Sequence, residues 1–154
     1  MELCISELHL RKPPWRLRNK LIADHLEKNK SVIDIGGGAA NLLNYYKPST
    51  YLCIDGMPMS EVDLVVDLNT DYQTHVSAGW DYAVNSGILE YVEQVDRFLF
   101  KQKDLAKEHI FTWYPDKLMG RMSFDRIEDI ITQNYSIQYS VPWGSQKMYK
   151  CTPL

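Results

Sequence analysis

A short apolar run that ends in consecutive glycines constrains this chain more than any other feature. Ser31-Val32-Ile33-Asp34-Ile35 leads directly into Gly36-Gly37-Gly38-Ala39-Ala40-Asn41. Such a run reads as a buried strand, and glycines after it let the backbone turn sharply and come close to a ligand. Further short apolar runs follow, and each ends at a polar or glycine residue. Tyr51–Ile54 ends at Asp55-Gly56, Val62–Val66 at Asp67, Tyr82–Asn85 at Ser86-Gly87, and His109–Trp113 is stopped by Pro115.

Helical spacing separates several of these runs. Leu17, Leu21, Ile22 and Leu26 share one face of a helix predicted over Arg16–Lys28, behind Pro13-Pro14. Ala39–Tyr46 is predicted as a second helix, closed by Pro48. Val92, Val95, Phe98 and Leu99 recur at helical spacing, and Ser123 caps a helix that buries Phe124, Ile127, Ile130 and Ile131. The last segment changes period. Tyr135, Ile137, Tyr139 and Val141 alternate with polar residues, and Gln146–Cys151 follows the loop Pro142–Ser145, which predicts an antiparallel hairpin.

Strands alternating with helices imply a parallel sheet covered on both faces. The expected fold is therefore α/β: a three-layer α/β/α sandwich around a mostly parallel seven-stranded sheet that ends in the antiparallel hairpin. Its 154 residues suit a single core. An N-terminal segment and helix over 1–30 precede the ligand-binding domain over 31–154. Trp15, Trp113, Tyr114 and the helix beginning at Arg16 could form a lid or acceptor wall, or complete a small core.

Ligands in such sheets bind beyond the carboxyl ends of the strands, where this chain gathers its glycines and acids. The glycine loop does not fit the dinucleotide pattern, because Asn41 stands at the third glycine position of G-x-G-x-x-G, and no P-loop is present. Asp34 would repel a pyrophosphate but suits an ammonium or sulfonium. Asp55 can accept both hydroxyls of a ribose, and Asp67 can accept from an adenine amino group. Together these acids describe a cationic amino acid joined to a nucleoside, although each could instead cap a loop.

At this point the sequence resembles the class I S-adenosylmethionine-dependent methyltransferases. Asp34-Ile35-Gly36-Gly37-Gly38-Ala39-Ala40 is similar to their first motif, D-x-G-x-G-x-G. Tyr51-Leu52-Cys53-Ile54-Asp55 resembles the second, and Val65-Val66-Asp67-Leu68 the adenine-side motif. Asp81–Tyr91 is similar to the stretch D-x-V-x-x-x-x-V-L-E-H. The resemblance implies S-adenosyl-L-methionine as cofactor. Gly36 and Gly38 would approach its methionine part, Asp34 would act on its amino group through the loop backbone or a water, Asp55 would hold its ribose, and Asp67 and the Leu68 backbone would read its adenine; Gly37 and Gly56 belong to the same cofactor-binding set. Asn85 and Ser86 would line the sulfonium side. Three departures stand out: Ala40 replaces the third glycine, Tyr91 stands where many relatives have histidine, and only Gly56–Glu61 separate the second and third strands. A helix cannot fit there, so a loop is expected.

The acceptor is expected to be a small molecule or sugar intermediate. No [DNS]-P-P-[YF] and no Pro-Cys pair follows the fourth strand, and a net charge of −3 gives no general attraction to nucleic acid or anionic lipid. Arg11, Lys12, Arg16, Arg18 and Lys20 read as a solvated helix face. Glu90, Tyr91, His75 and Asp116 are candidate general bases by position alone. Cys4, Cys53 and Cys151 form no CxxC pair, and the histidines have no ligand spacing, so neither a metal nor a disulfide framework is expected. The cysteines favour a reducing cytoplasm. No run is long enough to span a membrane. A non-catalytic binding subunit and an NAD(P)-dependent oxidoreductase remain as alternative readings.

Overall fold

The computed structural model describes residues 13–115 and 122–154, with side chains from Leu17 onward. Cys4, His9, Arg11, Lys12 and Asp116, and the side chains of Trp15 and Arg16, lie outside the described residues. The described chain forms helix α1 (Pro13–Asp24), strands β1 (Val32–Ile35), β2 (Tyr51–Asp55), β3 (Leu64–Val65) and β4 (Trp80–Asn85), helix α2 (Val95–Gln102), strand β5 (Ala106–Trp113), helix α3 (Phe124–Thr132), and the hairpin of β6 (Tyr135–Trp143) and β7 (Gln146–Pro153). The prolines occupy the first turn of α1, where their missing N–H groups cost nothing.

All seven strands join one sheet in the order β3-β2-β1-β4-β5-β7-β6. The first five pair in parallel, and β7 runs antiparallel to both β5 and β6. Alternate residues serve opposite faces. Val32, Tyr82, Val84, Ile110 and Met148 pack against Ile22 of α1, Leu26 just beyond its end, and Leu42. Ile33, Ile35, Ala83, Phe111 and Tyr149 pack against Phe98 and Leu99 of α2 and Ile127 and Ile131 of α3. Each fully buried aliphatic side chain here contributes about 1.5–3 kcal/mol. A buried reciprocal amide pair, Asn85 with Gln102 at 2.9 and 3.0 Å, pins β4 to α2.

Four expectations are corrected. The helix expected over Ala39–Tyr46 is only a 3-10 turn, Asn41–Asn44. Gly38 and Ala40 adopt left-handed conformations, at φ +54° and +53°, which an α-helix cannot contain. Leu17, assigned to the buried face of α1, is 52% exposed, while Arg18 is 4% exposed. The alternating hydrophobics of β6 do not share a face. Ile137 pairs with Cys151 and Tyr139 with Lys150, so a bulge at Gln138 shifts the parity and sends Val141 to the α1 side. The hairpin turn is also tighter than expected, because Trp143 pairs directly with Gln146 across Gly144-Ser145.

The short β2–β3 connection is a loop, as expected. Parallel neighbours normally need a long crossover. Here β3 aligns only with the end of β2, Ile54 beside Leu64 and Asp55 beside Val65, so the chain has little distance to return. The Asp63 carboxylate holds the junction by accepting the Cys53 N–H at 2.8 Å.

Candidate functional site

A cleft opens where β1, β2 and β4 end. Its lining includes Asp34, Gly36 and Gly37 from the glycine loop, Asp55 and Met57 from the β2 tip, Ser86, Gly87, Ile88 and Tyr91 beyond β4, and Arg18 and Asn19 from α1. Counted together with the solvent at its open mouth, its empty space is about 570 Å³.

The glycine loop forms one wall. Gly36 takes φ +77°, and a Cβ there would lie 2.7 Å from Ile88. A Cβ on Gly37 would meet Cys53 Sγ at 2.6 Å and the Asp34 carboxyl at 2.8 Å. Gly36 and Gly37 both donate their backbone N–H to the Ile54 carbonyl. Asp55 fastens this wall by accepting from Gly38 N and Met57 N, each at 2.9 Å. Burial raises the Asp55 carboxyl above its usual range, and the backbone N–H groups of Met57, Gly38 and Gly56 offset part of that rise.

Asp34 is 2% exposed. Its Oδ2 accepts the Tyr51 hydroxyl at 2.6 Å, whereas its buried Oδ1 has no hydrogen-bond partner among the described residues. Burial raises its pKa to about 7, the Tyr51 hydrogen bond offsets part of the rise, and the Asp55 charge adds to it. A buried acceptor without a donor is costly, and a cationic donor in the cleft would satisfy it.

The opposite wall is built from distant pieces of the chain. Arg18 Nε donates to Ser86 Oγ at 2.9 Å, and Nη1 donates to Gln146 Oε1 at 3.2 Å. Gly87, at φ +67°, leaves room for the guanidinium, which a Cβ would overlap. Burial pulls the Arg18 pKa down to about 10, against the opposing pull of the Glu90 charge.

Of the residues expected in the site, Asp34, Gly36, Gly37, Asp55 and Ser86 line this cleft, and Gly38 and Gly56 bond to Asp55 behind it. The Asn85 side chain turns away to Gln102. Asp67 is exposed at the end of β3, where its carboxylate accepts the Asn69 N–H at 2.9 Å, and Leu68 packs into the core. Among the candidate bases, Tyr91 lines the cleft. Glu90 is buried and accepts the Tyr114 N–H at 2.7 Å, whereas His75 lies exposed in a separate turn. Trp113 is a core residue whose indole donates to the Met122 carbonyl at 3.0 Å. Sequence reasoning missed Arg18, Asn19 and Met57. Lys20 alone of the described basic residues in α1 is on the solvated face. Among the described residues no cluster suits a metal ion, and no helix is long and apolar enough to cross a membrane.

The strand order and the glycine-loop cleft define the class I methyltransferase fold. The PH0226 protein from Pyrococcus horikoshii superposes with a TM-score of 0.70 at 11% identity, over 94% of this chain and 93% of that one. The CurJ carbon methyltransferase gives 0.65 at 9% identity over 96% of this chain, which spans only 57% of CurJ. The magnesium protoporphyrin IX methyltransferase of Synechocystis PCC 6803, with bound SAM, gives 0.58 at 13% identity over 90% of this chain and 76% of its own. No protein-family profile and no curated protein matches the sequence.

Proposed function

We propose that this protein binds S-adenosyl-L-methionine in the β1–β2–β4 cleft and transfers its methyl group to a small-molecule acceptor. The observation that carries the reading is the buried, unpartnered Oδ1 of Asp34, in the same cleft as the glycine loop and Asp55. That arrangement suits an ammonium on one part of a ligand and vicinal hydroxyls on another. The carboxylates of Asp34 and Asp55 on the same wall would repel a pyrophosphate.

When bound, the cofactor supplies an electrophilic methyl on its sulfonium. The protein's own residues then have to align the acceptor and exclude water. Asp34 receives the ammonium through Oδ1 while Tyr51 fixes the carboxyl. Asp55 accepts from the ribose hydroxyls with the lone pairs that its backbone donors leave. Met57 offers an apolar surface beside the nucleoside, and Asp67 accepts from the adenine amino group at the edge of the sheet. Of the candidate residues that are described, Tyr91 is the one that lines the cleft, beyond β4, where its hydroxyl would position an acceptor by a hydrogen bond. The sequence at the end of β4, Asn85-Ser86-Gly87-Ile88, has neither [DNS]-P-P-[YF] nor a Pro-Cys pair, which supports a metabolite or sugar intermediate over a DNA base as acceptor.

A second reading, a binding domain of this fold without catalysis, is favoured by the reduction of the β1–β2 connection to a 3-10 turn. Calorimetry with S-adenosylmethionine and S-adenosylhomocysteine, followed by transfer of labelled methyl to a metabolite panel, separates the two. The proposal requires micromolar binding and label transfer. Binding without transfer to any acceptor supports the second reading, and no heat with either compound refutes both cofactor roles.

A further inference from the structure

We propose that Lys101 is a positioning residue for base recognition: reaching across from α2, it fixes the turn that presents Asp67 to the nucleobase. This inference rests on the cofactor reading above and adds to it a side chain that lies outside every motif of the sequence.

Asp67 has little support from the sheet. β3 is an edge strand of two residues, Leu64–Val65, and ends before Asp67. Beyond it Leu68 and Tyr72 are buried, but Asn69, Thr70 and Asp71 between them are exposed. Asp67 is held instead by a local turn. Its carbonyl accepts the Thr70 N–H at 3.1 Å and the Thr70 hydroxyl at 2.6 Å, and its Oδ1 accepts the Asn69 N–H at 2.9 Å. Oδ2 is left for an amino group on a base.

The turn is tied down from α2. Lys101 Nζ donates to the Thr70 carbonyl and to Asp71 Oδ1, both at 2.8 Å. Its side chain is only 9% exposed, a burial that lysine accepts only when paired. The same hydrogen bond holds the Asp71 carboxyl below its usual range. Just before α2, the Glu93 N–H donates to Asn69 Oδ1 at 3.0 Å. Two relays therefore reach Asp67, one from Lys101 through Thr70 and one from Glu93 through Asn69. The relay from Lys101 is charge-assisted and the stronger of the two. An open polar cleft lined by Asn69, Glu93, Gln94, Arg97 and Lys101 lies between the turn and α2. Hydrogen bonds across that cleft, rather than apolar packing, set where the exposed part of the turn stands.

The test is calorimetry with S-adenosylhomocysteine and its deaminated counterpart S-inosylhomocysteine, which carries a carbonyl where adenine carries its amino group. The unaltered protein should prefer the adenosyl compound at least about tenfold, because Asp67 would otherwise face an oxygen. Lys101→Met keeps the length of the buried stem and should cut that preference by about 3- to 5-fold, leaving S-inosylhomocysteine within about 1.5-fold. Thr70→Val breaks the middle of the relay at an exposed position and should cut it by about twofold. With Asp67→Ala already in place there is no carboxylate to position, and adding Lys101→Met should change S-adenosylhomocysteine binding by less than about 1.5-fold. Thermal melts of each variant report folding. An unchanged preference, equal weakening of both compounds, or an effect of Lys101→Met that persists undiminished beside Asp67→Ala overturns the proposal and leaves cofactor binding intact. Equal binding of both compounds by the unaltered protein removes the base-reading role of Asp67, and this inference with it. Failure to bind either compound overturns the cofactor reading itself.

Discussion

The two walls of the cleft are made differently. The β1–β2 wall is local: Asp34 to Gly38 and Asp55 lie within a short stretch of chain, and its shape comes from backbone turned by glycine and fastened by a carboxylate. The opposite wall is assembled from side chains 68 and 128 residues apart in sequence, Arg18 with Ser86 and with Gln146. The first wall is set by what its residues cannot be. The second depends on α1 and the hairpin arriving at the right distance, so it should be the more tolerant of substitution.

The sharpest break of this comparison is Gly36→Val. A β-branched residue at φ +77°, pressed against Ile88, should cost about 3 kcal/mol or more of stability. It should also abolish S-adenosylhomocysteine binding. Urea titration measures the first effect and calorimetry the second, and an unshifted midpoint would mean that the loop is not sterically fixed. Next in size is Asp55→Ala. It removes the acceptor of the Gly38 and Met57 N–H groups and the proposed ribose contacts together, so affinity should drop at least roughly 100-fold.

Asp34 gives a pH signature to the same wall. Its folded pKa of about 7 lies above the ordinary 3.8. Between those values the folded protein keeps a proton that the unfolded chain has lost. This group therefore favours folding at low pH, and that contribution is lost as pH rises toward about 7. An ammonium ligand needs the carboxylate, so affinity should climb across the same window, approaching tenfold per pH unit while the acid is protonated. Asp34→Asn should flatten the profile in titrations at stepped pH, and a flat profile in the unaltered protein would show that Asp34 is ionised throughout. The smallest effect is expected at Asp67. It is exposed and already caps a turn, so Asp67→Ala should weaken binding only about 2- to 10-fold by the same assay. A loss as large as that of Asp55→Ala would extend the backbone-built wall to β3.

The sequence made the local wall readable and hid the other. Each strand ending in an acid or glycine could be read directly, because burial and turn chemistry leave their mark on adjacent residues. Arg18 could not, because helical periodicity assigned Leu17 inward and arginines outward, and the partners that reverse this lie just beyond β4 and at the start of β7. Ala39–Tyr46 read as a helix because alanine and leucine favour one, yet the left-handed turn at Ala40 overrode that preference. Period-two alternation found β6 but implied one face for all its hydrophobics, since an inserted residue leaves no mark in the pattern it displaces.

That inserted residue in β6 also bears on how the sheet meets other molecules. β6 is an outermost strand, nine residues long, with Ser136, Gln138 and Ser140 exposed. An unpaired strand of this length is a template for a second chain. The kink at Gln138 breaks the ladder that such a chain would need, and Pro142 withholds an amide donor farther along. At the other margin, β3 offers only two residues. Both margins of the sheet are thus poor starting points for intermolecular strand pairing, and the protein gains resistance to aggregation from the same irregularity that lets one strand pack against helices on both faces.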